Sequence, residues 1–313
     1  MDKNIKIFVA GHTGLVGSSI VRNLKLKGYN YFVYRTEKEL DLTEQGPVEE
    51  FFKTEKPDWV FLAAAKVGGI HANNIYPADF IRINLKIQTN VIDASYKYGV
   101  KKLMFLGSGC IYPRMAPQPI KEEYLLTSAL ELTNEAYAVA KIAGLKMCQY
   151  YNQQYGTNFI SVMPANLYGP NDNFDYENSH VLPALMRKIH EAKVNGDEFA
   201  TIWGTGQAMR EFMYIDDVGD SIVYLMENYN ENQFLNIGTG QEVKICELAD
   251  IIKEVVGFKG EFKYDSSKPD GTPRKLLDIT RLSKTGWKHK VGLKEGIEKT
   301  YKWFLDNYDN LRK

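Results

Sequence analysis

Cysteine is scarce in this chain of 313 residues: Cys110, Cys148 and Cys246 are odd in number, far apart and without Cys-x-x-Cys spacing. That argues against a disulfide framework and against a zinc site, so a cysteine that matters here matters as a thiol, and no metal is expected. No apolar run approaches the length of a membrane span, and the run inside Met1 to Ala10 is too short for a secretory signal. Neither sign of charge is in excess, with Lys plus Arg and Asp plus Glu at 39 each. The whole-molecule field therefore gives no reason to expect nucleic acid or an anionic membrane as partner, although a local phosphate site stays open. Gly and Pro are unexceptional, and no internal repeat, low-complexity segment or exposed linker is visible. The expected compartment is the cytoplasm.

What is present is enough apolar sequence, 44% by the broad count, for a full core and a second lobe. Ile5 to Ala10 reads as a short buried strand, followed at once by Gly11-His12-Thr13-Gly14-Leu15-Val16-Gly17 and a helical pattern carrying Ile20, Val21 and Leu24. Strand, glycine turn and helix N-terminus meet the needs of a pyrophosphate: a tight turn, close backbone approach and a positive dipole end. On its own such a turn is as often a plain loop. Tyr31 to Tyr34 makes a second strand, and Arg35 follows it where an Asp or Glu would grip the ribose of NAD. This favours NADPH, with His12 as a further donor to a 2′-phosphate, or else both are merely solvated.

Asp41-Leu42-Thr43 leads a helix from Glu44 to about Thr54, with Thr43 as the natural N-cap. The next strand, Asp58 to Leu62, runs into Ala63-Ala64-Ala65, small enough for a flat cofactor to lie close or simply for sheet packing. A long helix over Tyr76 to Tyr98 and a strand over Lys102 to Leu106 complete a βαβαβαβ alternation, which predicts a doubly wound parallel sheet with its chemistry beyond the strand C-termini. Ser108 and Cys110 fall at that edge. In the helix that follows, Tyr137 and Lys141 are four apart and share one face. A hydroxyl, a phenol and an amine are the equipment for handling protons at a carbonyl oxygen.

Further along, Phe159 to Met163 reads as a buried strand leading into Pro164, Asn166 and Leu167, and the alternation breaks from about Asn171. His180 to Ala192 forms a helix. Tyr214 to Val218 starts another with an Asp as N-cap, Phe234 to Gly238 returns to the main sheet, and Ile245 to Val256 is a helix that buries Cys246. The tail from Leu293 to Phe304 is an amphipathic packing helix.

Gly11-x-x-Gly14-x-x-Gly17, Ser108 and Tyr137-x-x-x-Lys141 together resemble the extended short-chain dehydrogenase/reductases that act on nucleotide sugars. Gly107 to Pro113, Ala165 to Phe174, Ser179 to Leu185 and Lys268 to Lys275, in register over nearly the whole chain, look like the GDP-4-keto-6-deoxymannose 3,5-epimerase/4-reductases, the GDP-L-fucose synthase branch of that family. The resemblance implies a Rossmann-type NADP-binding domain over 1–170, with a segment near 211–240 returning to it, and a smaller interleaved α/β lobe over 171–313 for a GDP-linked keto sugar. It implies Cys110 as base and His180 as acid for epimerisation at C3 and C5, with Ser108 and Tyr137 on the C4 oxygen during hydride delivery. Lys141 would bind the nicotinamide ribose and lower the phenol's pKa from about 10. The cofactor would run from the glycine turn past Arg35, Asp41, Leu42 and Ala63 to Ala65, to Pro164, Asn166, Leu167 and His180. Lys188, Trp203, Arg210 and Asp270 would hold the GDP-sugar, where the residues alone read equally as surface charges and a core Trp. A homodimer through the helices of Tyr76 to Tyr98 and Tyr137 to Tyr155 is also implied.

The chain departs from the family pattern at Gly109, where a second serine or a threonine is usual, and at His12. The residues leave Cys110 open to being an ordinary buried thiol, and His180 to being a backbone partner at a helix entry. A C4 reductase of a related sugar such as a GDP-4-keto-heptose, a non-catalytic NADPH-binding protein, and an NAD-retaining epimerase or dehydratase are the competing functions.

Overall fold

The computed structural model describes residues 3–176, 179–268 and 270–311. Its first half alternates strand and helix: β1 (Ile7–Ala10), α1 (Leu15–Leu26), β2 (Phe32–Val33), α2 (Gln45–Glu55), β3 (Trp59–Leu62), α3 (Ile70–Ile75), α4 (Pro77–Lys97), β4 (Lys102–Leu106), α5 (Glu135–Tyr155) and β5 (Phe159–Pro164). The second half continues with β6 (Asn166–Tyr168), α6 (Val181–Asn195), β7 (Phe199–Trp203), β8 (Met209–Arg210), β9 (Phe212–Tyr214), α7 (Ile215–Asn228), β10 (Leu235–Ile237), β11 (Val243–Lys244), α8 (Ile245–Val256), β12 (Glu261–Asp265), β13 (Arg274–Lys275), α9 (Thr280–Lys284) and α10 (Leu293–Asp306).

Six strands form one parallel sheet in the order β10-β5-β4-β3-β1-β2. The strands are apolar at nearly every position because both faces are covered, as a doubly wound sheet requires. Ile7 and Val9 point into one core, shared with α1 and α7, while Phe8 and Ala10 point into the other, shared with α2, α4 and α5. Order reverses between β1 and β3, so a crevice opens there beyond the strand C-termini, where the glycine turn lies. Small sheets β11-β8-β13 and β12-β7 build the second lobe, and β6 pairs with β9 beside it.

Three local expectations change. The residue at the α2 N-cap is Glu44, without a side-chain cap, while Thr43 is held in a turn by its own N–H donating to Asp41 at 2.8 Å. Neither Asp216 nor Asp217 caps α7. Tyr214 takes that position, Asp216 pairs with Arg22, and Asp217 accepts the backbone N–H groups of Lys290 and Val291 at 2.9 and 2.8 Å. A local turn outcompeted the cap at Thr43, and tertiary partners did so at Asp216 and Asp217. Cys246 is half-buried rather than core, since it stands in the first turn of α8 against the Gly206 loop. The short helix α3 has no counterpart in the pattern reading.

Candidate active site

Gly11 ends β1 at φ +81°, a conformation that side-chain-bearing residues rarely adopt, and a Cβ there would press Ala63 and Ala64 at about 3.0 and 2.9 Å. Gly17 is excluded from change by contact: its Cβ would lie 2.1 Å from the Gly11 carbonyl oxygen. These two positions fold the turn tightly against β3 and aim the N-terminus of α1 into a cleft of about 840 Å³. All the residues expected to hold the cofactor line that one cleft, from the glycine turn past Arg35, Asp41, Leu42 and Ala63–Ala65 to Lys141, Pro164, Asn166, Leu167 and His180.

The cradle fits a dinucleotide phosphate. A pyrophosphate needs backbone approach without intervening side chains, which the turn provides, and the adenosine end carries unspent polar atoms. His12 Nδ1 and the Tyr34 hydroxyl are buried without hydrogen-bond partners, their rings 4.8 Å apart. Burial lowers the His12 pKa, so near neutrality it offers a neutral imidazole to an anion. Arg35 donates to Glu55 and to the Tyr34 carbonyl, both at 2.7 Å, and still lines the cleft. Asn166 donates its side-chain N–H to the Glu211 carbonyl at 2.8 Å, which fixes its backbone at the cleft wall.

At the far end of the crevice, β4 delivers Ser108 into a short 3₁₀ turn over Gly109–Ile111, and the Ser108 hydroxyl accepts the Cys110 N–H at 3.3 Å. Ser108 and Tyr137 line the same cleft. One turn on, the Lys141 ammonium donates to the Leu106 carbonyl at 2.8 Å and lies 5.8 Å from the centre of the Tyr137 ring. Burial lowers the lysine to about 8. The phenol moves the opposite way to expectation: burial raises Tyr137 well above its ordinary value of 10, the Cys110 charge adds to this, and only Ser108 opposes it. Lys141 spends its charge on the Leu106 carbonyl and its ring-face contact, so Tyr137 rests as a protonated phenol.

Cys110 does not line the main cleft. It lines an adjoining cavity of about 30 Å³ together with Asn134 and Lys275, while Gly109 and Lys275 line both spaces. Burial raises the thiol pKa; Lys275, the Ser108 hydrogen bond and Lys141 pull it back. His180 occupies the N-cap position of α6 without capping it, faces the main cleft, and is lowered by desolvation between the cleft walls and by the Lys275 charge.

Lys188, Trp203, Arg210 and Asp270 gather in the second lobe. The Lys188 ammonium stands 3.9 Å over the Trp203 ring, and Arg210 donates to the Asp270 carbonyl at 3.2 Å. The Asp270 carboxylate is engaged by the Thr205 N–H and hydroxyl at 2.7 and 2.8 Å, which folds the loop rather than presenting a free acceptor. Lys275 was not singled out from the sequence beyond its place in the block from Lys268. The signal was a basic pair, Arg274-Lys275, after a Gly-Thr-Pro turn, on a strand too short to be read. Within that block Pro269 lies outside the described residues.

Residues 7–238 match the NAD dependent epimerase/dehydratase family. The chain belongs to that family. It is 62% identical over 309 residues to GDP-L-fucose synthase 1 of Arabidopsis thaliana, a match covering 99% of this chain and 96% of that one. Among solved structures it is similar to a GDP-6-OMe-4-keto-L-xylo-heptose reductase from C. jejuni, 42% identical, TM-score 0.94, with 98% and 99% of the two chains covered. It is also similar to a GDP-L-fucose synthetase from Naegleria fowleri bound to NADP, at 30% identity and TM-score 0.93, covering 100% of this chain and 98% of that one. These likenesses run across both lobes of the chain, so they include the second-lobe cluster as well as the glycine cradle.

Proposed function

We propose that the protein is an NADP-dependent oxidoreductase that epimerises GDP-4-keto-6-deoxy-D-mannose at C3 and C5 and reduces it at C4 to GDP-L-fucose. The single observation that carries the reading is the convergence of Ser108, Tyr137 and Lys141 at one end of the glycine-cradled cleft, with Cys110 and His180 beside them. Residues 1–170 and the returning segment near 211–240 bind cofactor, and 171–313 bind the GDP-sugar.

Removing a proton beside the ketone places negative charge on the C4 oxygen, and reducing that ketone does so again, so one pair of donors serves both phases. Ser108 and Tyr137 are those donors. The protonated state of the phenol suits it to give a proton to the oxygen as the alkoxide forms, and Lys141 stands one turn on, 5.8 Å from the centre of its ring. Bound NADPH supplies the hydride. In the epimerising phase Cys110 takes the carbon's proton and His180 returns one. Lys188 and Arg210 suit the diphosphate, and Trp203 offers a ring face. The cytoplasm is the compartment that goes with this reading; among the described residues no helix is long and apolar enough to cross a membrane. A homodimer through α4 and α5 is part of it, supported by exposed Tyr96, Tyr150 and Tyr155 on that face.

NADPH oxidation with GDP-4-keto-6-deoxymannose tests the assignment. Tyr137→Phe is expected to lower kcat at least about hundredfold while NADPH still binds. Retained turnover in that variant, or none in the parent, contradicts the reading. A second reading, C4 reduction of a GDP-4-keto-heptose without epimerisation, is favoured by the likeness to the C. jejuni reductase. It uses the same Ser108, Tyr137 and Lys141.

A further inference from the structure

One charge in the site has no assigned work. Lys275 on β13 reaches across to the turn after β4, where its Cε and Nζ lie 3.4 and 3.7 Å from the point at which a side chain on residue 109 would begin. Gly109 has none, so the lysine lies against bare backbone next to Cys110. That glycine is not forced by conformation, because its φ is not in the left-handed region. Among the described residues the Lys275 ammonium makes no hydrogen bond and no ion pair, although the protein around it disfavours its charge. A cation so placed ordinarily has an anionic partner.

The charged and titratable groups around Cys110 can be assigned, beginning with Tyr112, which shares the small cavity and whose hydroxyl donates to the Asn236 side-chain carbonyl. Lys141 and Tyr137 come from α5, Ser108 from the turn itself, and His180 from the start of α6. Arg114 and Glu131, across the small cavity, pair with each other at 3.2 Å, and Arg274 pairs with Glu242. Lys141 is tied to the Leu106 carbonyl. His180 is kept neutral partly by Lys275 itself, so it does not supply a resting positive charge for a thiolate. Lys275 is the cation left over, and it stands beside the thiol.

We propose that Lys275 is the positioning residue of the epimerase half-site: its ammonium pairs with the Cys110 thiolate, and Gly109 is the gap that admits it. The proposal rests on the reading of Cys110 as the base. When the thiolate takes the proton from carbon, the C–H pair becomes the enolate and the negative charge passes to the C4 oxygen of the substrate. The ammonium therefore faces an anion before the transfer and a neutral thiol after it.

The test needs no sugar. Iodoacetamide alkylation of Cys110 in the full-length protein, followed by the mass of its peptide between about pH 6 and 10, reports the thiolate directly. Lys275→Met is expected to raise the midpoint by about one pH unit and to slow alkylation below the midpoint about tenfold, and Lys275→Arg to restore both. Melting curves and NADPH binding establish that each variant is folded, with Lys275→Gln replacing the Met variant if that one is not. An unchanged midpoint in the Met or Gln variant overturns the proposal. So does a raised midpoint that Arg fails to restore, which assigns the effect to packing rather than charge. Failure of the enzyme reading shows separately, as absence of NADPH oxidation by the parent with GDP-keto sugar.

Discussion

Asp172 carries one satisfied carboxylate oxygen and one that is not: Oδ1 accepts the Asn173 N–H at 2.8 Å, and Oδ2 is buried without a partner. Burial raises its pKa from 3.8 to about 7, opposed only by that one hydrogen bond. The unfolded chain gives up this proton near pH 4 while the folded chain holds it to about 7. Its destabilising contribution is therefore absent below about pH 4, grows between 4 and 7, and is complete above, with an upper limit of roughly 4 kcal/mol. Asp172→Asn is expected to flatten that part of the profile, so the difference in melting temperature between variant and parent should grow from pH 5 to pH 8. A constant difference would mean that the carboxyl group stays ionised across the range. Residues of this kind are poorly legible in sequence, because an Asp in Pro-Asn-Asp-Asn reads as a turn former and nothing local says that its second oxygen is sealed off. Tyr137 illustrates the same limit. Its spacing from Lys141 was readable, but the direction of its pKa was not, because burial in the third dimension outweighs a neighbour four residues away.

At the scale of elements, α5 carries Tyr137 and Lys141 and is set by close approach to the sheet. Gly144 faces β4, and a Cβ there would lie 2.5 Å from the Phe105 ring and 2.7 Å from Gln88 Oε1, whose amide N–H groups donate to the Ala140 carbonyl. Alanine would gain about 1 kcal/mol of helix propensity, yet overpacking costs about 1–3 kcal/mol. Gly144→Ala should therefore lower stability and, by tilting α5 away from β4, lower turnover more than NADPH affinity; a chemical melt and steady-state kinetics read the two effects. A variant as active and as stable as the parent would show that α5 has slack. The long elements were legible because their apolar periodicity is strong: α4, α5, α8 and α10 fall close to where the pattern places them. Caps were less so, since the carboxylates of Asp216 and Asp217 find Arg22 and the backbone at Lys290 and Val291, partners distant in sequence. β13 is two residues long, and no periodicity exists in two residues, which is why Lys275 had no visible address.

For the whole molecule, balanced charge leaves recognition to local arrangements, and the fold supplies two of them, one in each lobe. The parallel sheet presents the glycine turn, Ser108 and α5. The second lobe brings Trp203, Lys188 and Arg210, and sends β13 back so that Lys275 lies against Gly109 and shares the small cavity with Cys110. The Glu211 carboxylate, fully buried, joins these parts by accepting N–H groups from Thr239, Gly240 and Leu277 at 2.6, 2.7 and 3.0 Å, the last only two residues beyond Lys275. The residues proposed for reduction and for epimerisation thus depend on both lobes, and a readout that separates the two chemistries in one product tests the account most directly. The purified protein, NADPH and GDP-4-keto-6-deoxy-D-mannose are incubated in deuterated water, and the product sugar is examined by proton NMR. The account predicts GDP-L-fucose carrying solvent deuterium at C3 and C5 and the cofactor's protium at C4. A C4-reduced sugar that keeps protium at C3 and C5 would contradict it.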